Sequence, residues 1–145
     1  MIKIRAYCLL QGPNFSPALA ESRTCLSFEN KNEVGEAGRS GRYKDIPIPY
    51  GSAELTASDT DRIIRILETH IGTFRSCHAE TIILHLDVSY DAQCNLEFSP
   101  ELIKKISDLQ IPFTISCYAD DEEWQDCTNH TRSSQITQRC LRPEN

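Results

Sequence analysis

Apolar and polar residues alternate where the chain begins. Ile2, Ile4, Ala6, Cys8 and Leu10 fall on one side of an extended backbone, and Lys3, Arg5 and Tyr7 fall on the other. This period of two predicts a strand over Ile2–Leu10 with one face on a core, ended by Gly12-Pro13-Asn14. Ser16 then offers an oxygen to an orphan amide, and Pro17 has no amide to lose at a first helical position, so a short helix is expected from Pro17 to Thr24. In "SDTDRIIRILETHIGTF" the period becomes helical. Ile63, Ile64, Leu67, Ile71 and Phe74 share one face, Asp59 and Asp61 lie near the positive end of the dipole, and Ser58 is the expected cap of a helix over Ser58–Phe74.

"TIILHLDVSY" alternates again, with Ile82, Leu84, Leu86 and Val88 on one face and Ile83, His85 and Asp87 on the other. After "DAQ" a short strand Cys94–Phe98 is expected to fold back as a hairpin. Ser99 and Pro100 then open a helix over Ser99–Leu109, with Leu102, Ile103, Ile106 and Leu109 as its apolar stripe and Glu101 facing Lys104 and Lys105 outside. Ile111–Tyr118 reads as a last strand. "NFSPAL" and "EFSPEL" are therefore one helix-starting device used twice, each with Phe in the place of a hydrophobic staple, and the two strand-then-helix units hint at a pseudo-repeat. Between them, Glu29–Ser52 is rich in glycine, proline and mixed charge. Only Tyr43–Ile48 has the makings of a strand there, held to an edge by Pro47 and Pro49.

These elements predict one α+β domain over residues 1–126. Its mainly antiparallel sheet should have about four to six strands, with two principal helices, Ser58–Phe74 and Ser99–Leu109, on one face. Residues 127–145, "TNHTRSSQITQRCLRPEN" and the cysteine before it, are polar and expected to form a loosely held tail. A chain of 145 residues is long enough to bury a core without staples.

Charge changes the picture more than length does. With 15 Lys and Arg against 21 Asp and Glu, the net charge of −6 argues against general affinity for nucleic acid and favours a basic protein partner. No apolar run approaches the ~20 residues that span a bilayer. Lys3 and Arg5 interrupt the first apolar stretch, and no cleavage site comes after it, so a secretory leader is not expected. The seven cysteines are odd in number and widely spaced, which suits reduced thiols in a cytoplasm better than a disulfide framework.

Four patterns bear on chemistry. No C-x-x-C or H-x-x-x-H spacing offers a metal site, and no cofactor fingerprint is present. His85 and Asp87 share a strand face, where an aspartate can orient an imidazole for acid–base work or for a cysteine nucleophile; a solvated strand face gives the same pattern and is the preferred reading. Gly35, Gly38 and Gly41, interleaved with Arg39, Arg42 and Lys44, resemble an amide-and-cation nest for phosphate, but the Lys-Ser/Thr ending of a P-loop is missing, which leaves a surface loop or a grip on an acidic feature. In "YADDEEWQDC", Asp120, Asp121, Glu122, Glu123 and Asp126 surround Trp124, the only tryptophan. Trp124 folding back onto the sheet while the acids stay solvated gives the same pattern and is the preferred structural reading; as a functional reading, an aromatic anchor ringed by like charge suits an interface with a basic partner.

The segment "CNLEFSPELIKKISDLQIPFTISCYADDEE", together with the first strand and "GPNFSPALAES", resembles a family of small bacterial domains of unknown function. That resemblance implies an α+β sheet with helices packed on it and supplies no catalytic residues. Small acidic domains of this general look are also similar to bacterial immunity proteins, which neutralise a cognate secreted toxin. The leading expectation is a non-catalytic cytoplasmic binding protein, an immunity protein for a basic toxin such as a nuclease, with Asp120, Asp121, Glu122, Glu123, Trp124 and Asp126 at the interface. The alternatives are a small enzyme using His85 with Asp87 or a cysteine, and a small-ligand sensor built on the glycine loop.

Overall fold

In the computed structural model, which describes residues 1–119, the strand earliest in the chain lies at the centre of a five-stranded sheet. The elements are β1 (Lys3–Gly12), α1 (Pro17–Thr24), β2 (Glu29–Asn32), a 3-10 turn (Gly41–Tyr43), β3 (Gly51–Thr56), α2 (Thr60–Ser76), β4 (Thr81–Tyr90), α3 (Pro100–Asp108) and β5 (Phe113–Ala119). The strands lie in the order β2-β3-β1-β4-β5, all neighbours antiparallel except β4 and β5, which are parallel. This is an α+β fold with a mostly antiparallel sheet. The parallel pair arises from α3, which carries the chain from the end of β4 back to the start of β5 as a crossover.

Burial alternates along every central strand. Ala6, Cys8 and Leu10 of β1, Ala53 and Leu55 of β3, and Ile82, Leu84 and Leu86 of β4 enter one core with Ala20, Ile63, Ile64, Leu67, Phe74 and Ile106 from the helices. The helices thus cover one face of the sheet, and the alternate strand residues on the other face stay half-buried or exposed. Each helix start works as its sequence predicts. Ser16 Oγ accepts from Leu19 N–H at 3.3 Å and Ser99 Oγ from Leu102 N–H at 3.2 Å, with proline in the first turn of both helices. The two helices feed different kinds of strand, α1 the antiparallel edge strand β2 and α3 the parallel strand β5.

Four expectations are corrected. Tyr43–Ile48 is not a strand: Gly41–Tyr43 is a 3-10 turn, and Asp45 takes a left-handed conformation at φ 61°. The strand lies later, at Gly51–Thr56, where the buried positions are the small Gly51, Ala53 and the larger Leu55. Cys94–Phe98 forms no strand either, because both edges of β4 are already taken, by β1 and by β5. The long helix begins at Thr60 and its cap is Asp59, whose carboxylate accepts from Arg62 N–H at 2.8 Å while the Ser58 hydroxyl donates to it at 3.1 Å. On α3, Ile106 and Leu109 are buried and Leu102 packs against them, but Ile103 is 55% exposed, and Lys104 pairs with Asp108 at 2.7 Å. The expected boundary at residues 126 and 127, and the polar segment after it, lie outside the described residues.

Candidate functional site

The uncovered face of the sheet gathers the polar and aromatic chemistry of β1, β4 and β5. Register decides who meets whom: Tyr7 stands opposite His85, Arg5 opposite Asp87, and across the parallel ladder His85 lies beside Thr114 and Asp87 beside Ser116. The Tyr7 and His85 rings stack with centroids 4.9 Å apart and planes 16° from parallel. The Thr114 hydroxyl and His85 Nδ1 are hydrogen-bonded, so the imidazole is fixed from one side by a ring and from the other by a strand neighbour. The Arg5 guanidinium lies 5.0 Å from the Tyr7 ring centroid and reaches Glu54 at 3.4 Å, and Glu54 also accepts from the Asn30 side-chain amide at 2.9 Å. Burial, and then the charges of Asp87 and Glu54, push the Tyr7 hydroxyl above its ordinary value, so it stays a protonated donor at neutral pH.

Asp87 is treated differently from its neighbours. It is half-buried, and among the described residues its carboxylate has neither an ion pair nor a hydrogen-bond partner. It lines a cleft of about 430 Å³ at one end of this face, together with Lys3, Ile4, Arg5, Ser89, Tyr118 and Ala119. His85 and Asp87 therefore share a face, as the spacing predicts, but Nδ1 of His85 is taken by Thr114 and Asp87 opens toward the cleft. Sequence reasoning passed over Tyr7, Arg5 and Thr114. The available signal was the polar side of β1, where an arginine and a tyrosine alternate with core residues.

Two of the three glycine amides of the loop are used within it: the Gly35 amide donates to Ile48 C=O at 2.7 Å and the Gly38 amide to Ile46 C=O at 3.0 Å, so neither is left to face an anion. Arg39 is paired with Glu36 at 3.8 Å, and the Arg42 guanidinium lies 5.6 Å from the Tyr43 ring. Among the described residues no three His, Cys, Asp or Glu side chains cluster as a metal site requires.

Among the described cysteines, Cys8 and Cys77 are buried, Cys94 is intermediate, and Cys25 and Cys117 are exposed. Burial pushes the Cys8 thiol up to about 12, and burial and the neighbouring Cys117 thiol raise Cys94. Brief treatment of the native protein with a thiol-alkylating reagent near neutral pH should modify Cys25 and Cys117 first and spare Cys8 and Cys77 until the chain unfolds. Peptide mass spectrometry reads this directly, and early modification of Cys8 would contradict its burial. Cys127 and Cys140 lie outside the described residues, as do Asp120, Asp121, Glu122, Glu123, Trp124 and Asp126. In sequence Asp120 follows Ala119, which lines the cleft.

No model of a known protein family matches the chain, and neither the curated proteins nor the solved structures give a match. The chemistry of the site itself is therefore the guide to function.

Proposed function

We infer that this protein is a non-catalytic binding module that receives a basic protein partner on the uncovered face of its sheet. The observation that carries this reading is the combination on one face of a fixed Tyr7–His85 platform and a half-buried carboxylate, Asp87, that forms no ion pair among the described residues although Lys3 and Arg5 line the same cleft. Aromatic area that is already ordered costs little to bury, and a carboxylate that forms no ion pair among the described residues can receive an arginine or lysine of a partner. A net charge of −6 draws such a partner in from a distance. The acidic run Asp120–Asp126, beginning one residue beyond the cleft, would extend the same attraction, with Trp124 as a second anchor.

The specific form proposed is an immunity protein of the cytoplasm that blocks a basic toxin such as a nuclease. The unpaired spacing of the cysteines suits that compartment, and no helix among the described residues is long and apolar enough to cross a membrane. An enzyme using His85 with Asp87 finds less support, because the imidazole is oriented by threonine and tyrosine instead of by the aspartate.

The test is binding kinetics against a basic toxin domain encoded beside this chain's own gene. Asp87→Lys should slow association about tenfold and flatten its dependence on salt, because it reverses a charge at the cleft. Tyr7→Ala should act on dissociation, weaken binding by about 2 kcal/mol or more, and depend little on salt. Unchanged rates in both variants would remove this face from the interface and end the proposal.

A further inference from the structure

We propose that this protein forms a symmetric dimer in which the outer edge of β5 pairs with β5 of a second copy, antiparallel, about a two-fold axis at Ser116. This goes beyond the binding role above, since it uses the edge of the sheet and not its face. The two edges of the sheet are unlike. β2 has four residues, carries Glu29 and Lys31, breaks its ladder between Glu29 and Asn32, and holds Asn30 at φ 43°. A short, charged, irregular edge resists the addition of another strand. β5 has none of these defences. Its seven residues, Phe-Thr-Ile-Ser-Cys-Tyr-Ala, contain no charge, proline or glycine, and among the described residues its only ladder is the one to β4.

The inner ladder fixes which backbone groups remain. Leu84 N–H donates to Pro112 C=O at 3.0 Å, and a parallel ladder continues through alternate residues, here Thr114, Ser116 and Tyr118. The amide and carbonyl groups of Phe113, Ile115 and Cys117 therefore point away from the sheet. With the axis at Ser116, Ile115 stands opposite Cys117 of the second copy. Both belong to the outward set, so they exchange two hydrogen bonds, and the register satisfies the antiparallel pattern without adjustment. Although each chain has a net charge of −6, no like charges meet along this seam.

The helix layer supplies the second observation. At about 100° per residue, Leu102 and Leu109 lie on one flank of Ile106, against the core, and Ile103 lies on the other. α3 is the crossover into β5, so it is the last helix before this edge, and its free flank exposes 55% of Ile103. Pairing two β5 strands brings two α3 helices side by side, where the two isoleucines cover each other. One contact thus accounts for an edge that is undefended among the described residues and an exposed isoleucine, and because β2 resists a further strand the assembly closes at two.

Sedimentation equilibrium of the full chain, from low micromolar to on the order of 100 μM, tests this. The wild type should pass from monomer to dimer over that range. Ile115→Pro removes an outward amide without touching the β4 ladder, and Ile103→Glu sets like charges against each other between the helices. Each should raise the dimer dissociation constant at least about tenfold, and Ile103→Glu should leave the melting temperature of the dilute monomer unchanged. A wild type that stays monomeric overturns the proposal, and so does a dimer left intact by folded Ile115→Pro. Should Ile115→Pro fail to fold, Ile115→Lys at the same exposed position takes its place with the same outcomes.

Discussion

Phe74→Ala is expected to remove about 3–5 kcal/mol of folding stability, a large share of the ~5–15 kcal/mol that holds a typical domain together. The ring is fully buried near the end of α2. It meets Phe28 edge-on with centroids 5.9 Å apart, and the His70 ring lies at 6.3 Å. Alanine loses the transfer free energy of the ring and leaves a cavity between the helix and the segment before β2, which the sheet below is too regular to fill. Urea unfolding should show a lower midpoint with the slope unchanged. A loss below about 1 kcal/mol would mean that this end of α2 is not part of the core.

Gly51→Ala should cost about 3 kcal/mol or more, through a different mechanism. Gly51 and Gly12 are register partners at one end of the sheet. A β-carbon on Gly51 would lie 1.9 Å from the Phe15 carbonyl oxygen, and one on Gly12 would lie 2.2 Å from that of His78. Both obstacles are backbone, so no rotamer change relieves them. The turn before α1 and the turn after α2 can close over the sheet only because two facing glycines leave the room. Gly72→Ala is the control: a β-carbon there meets nothing within 4 Å, and the helix should gain about 0.5–1 kcal/mol. A Gly51→Ala protein that melts like the wild type would show that the two turns can separate at no cost.

The sequence discloses this fold wherever large apolar residues mark the period. β1, β4, α2 and the two Ser-Pro helix starts are legible because Leu, Ile and Phe recur at the right intervals, and because a cap and a first-turn proline are local chemistry. β3 is hidden for the opposite reason. Its buried positions include Gly51 and Ala53, which have little apolar area to signal, while Tyr43–Ile48 has β-forming side chains on a backbone bent by Asp45. Cys94–Phe98 misleads because a hairpin is a local guess, whereas β4 takes its neighbours from distant parts of the chain. The site divides in the same way. That His85 and Asp87 share a face is periodicity, and that Thr114 holds one while a cleft receives the other is register across strands, which no single segment contains.

Placing the earliest strand in the middle of the sheet has a kinetic consequence. Tyr7 pairs with Thr56 on one side and with His85 on the other, so β1 has no strand neighbour until the chain has been made past Thr56 and lacks its second until it is past His85. Closing such long loops before any ladder forms makes the search slow relative to that of a helical bundle. During synthesis the alternating apolar face of β1 must wait on the ribosome beside α1, with only that short helix near it in sequence. Chaperone demand should therefore be concentrated in the interval before β3 emerges, when β1 is complete and has no strand to pair with.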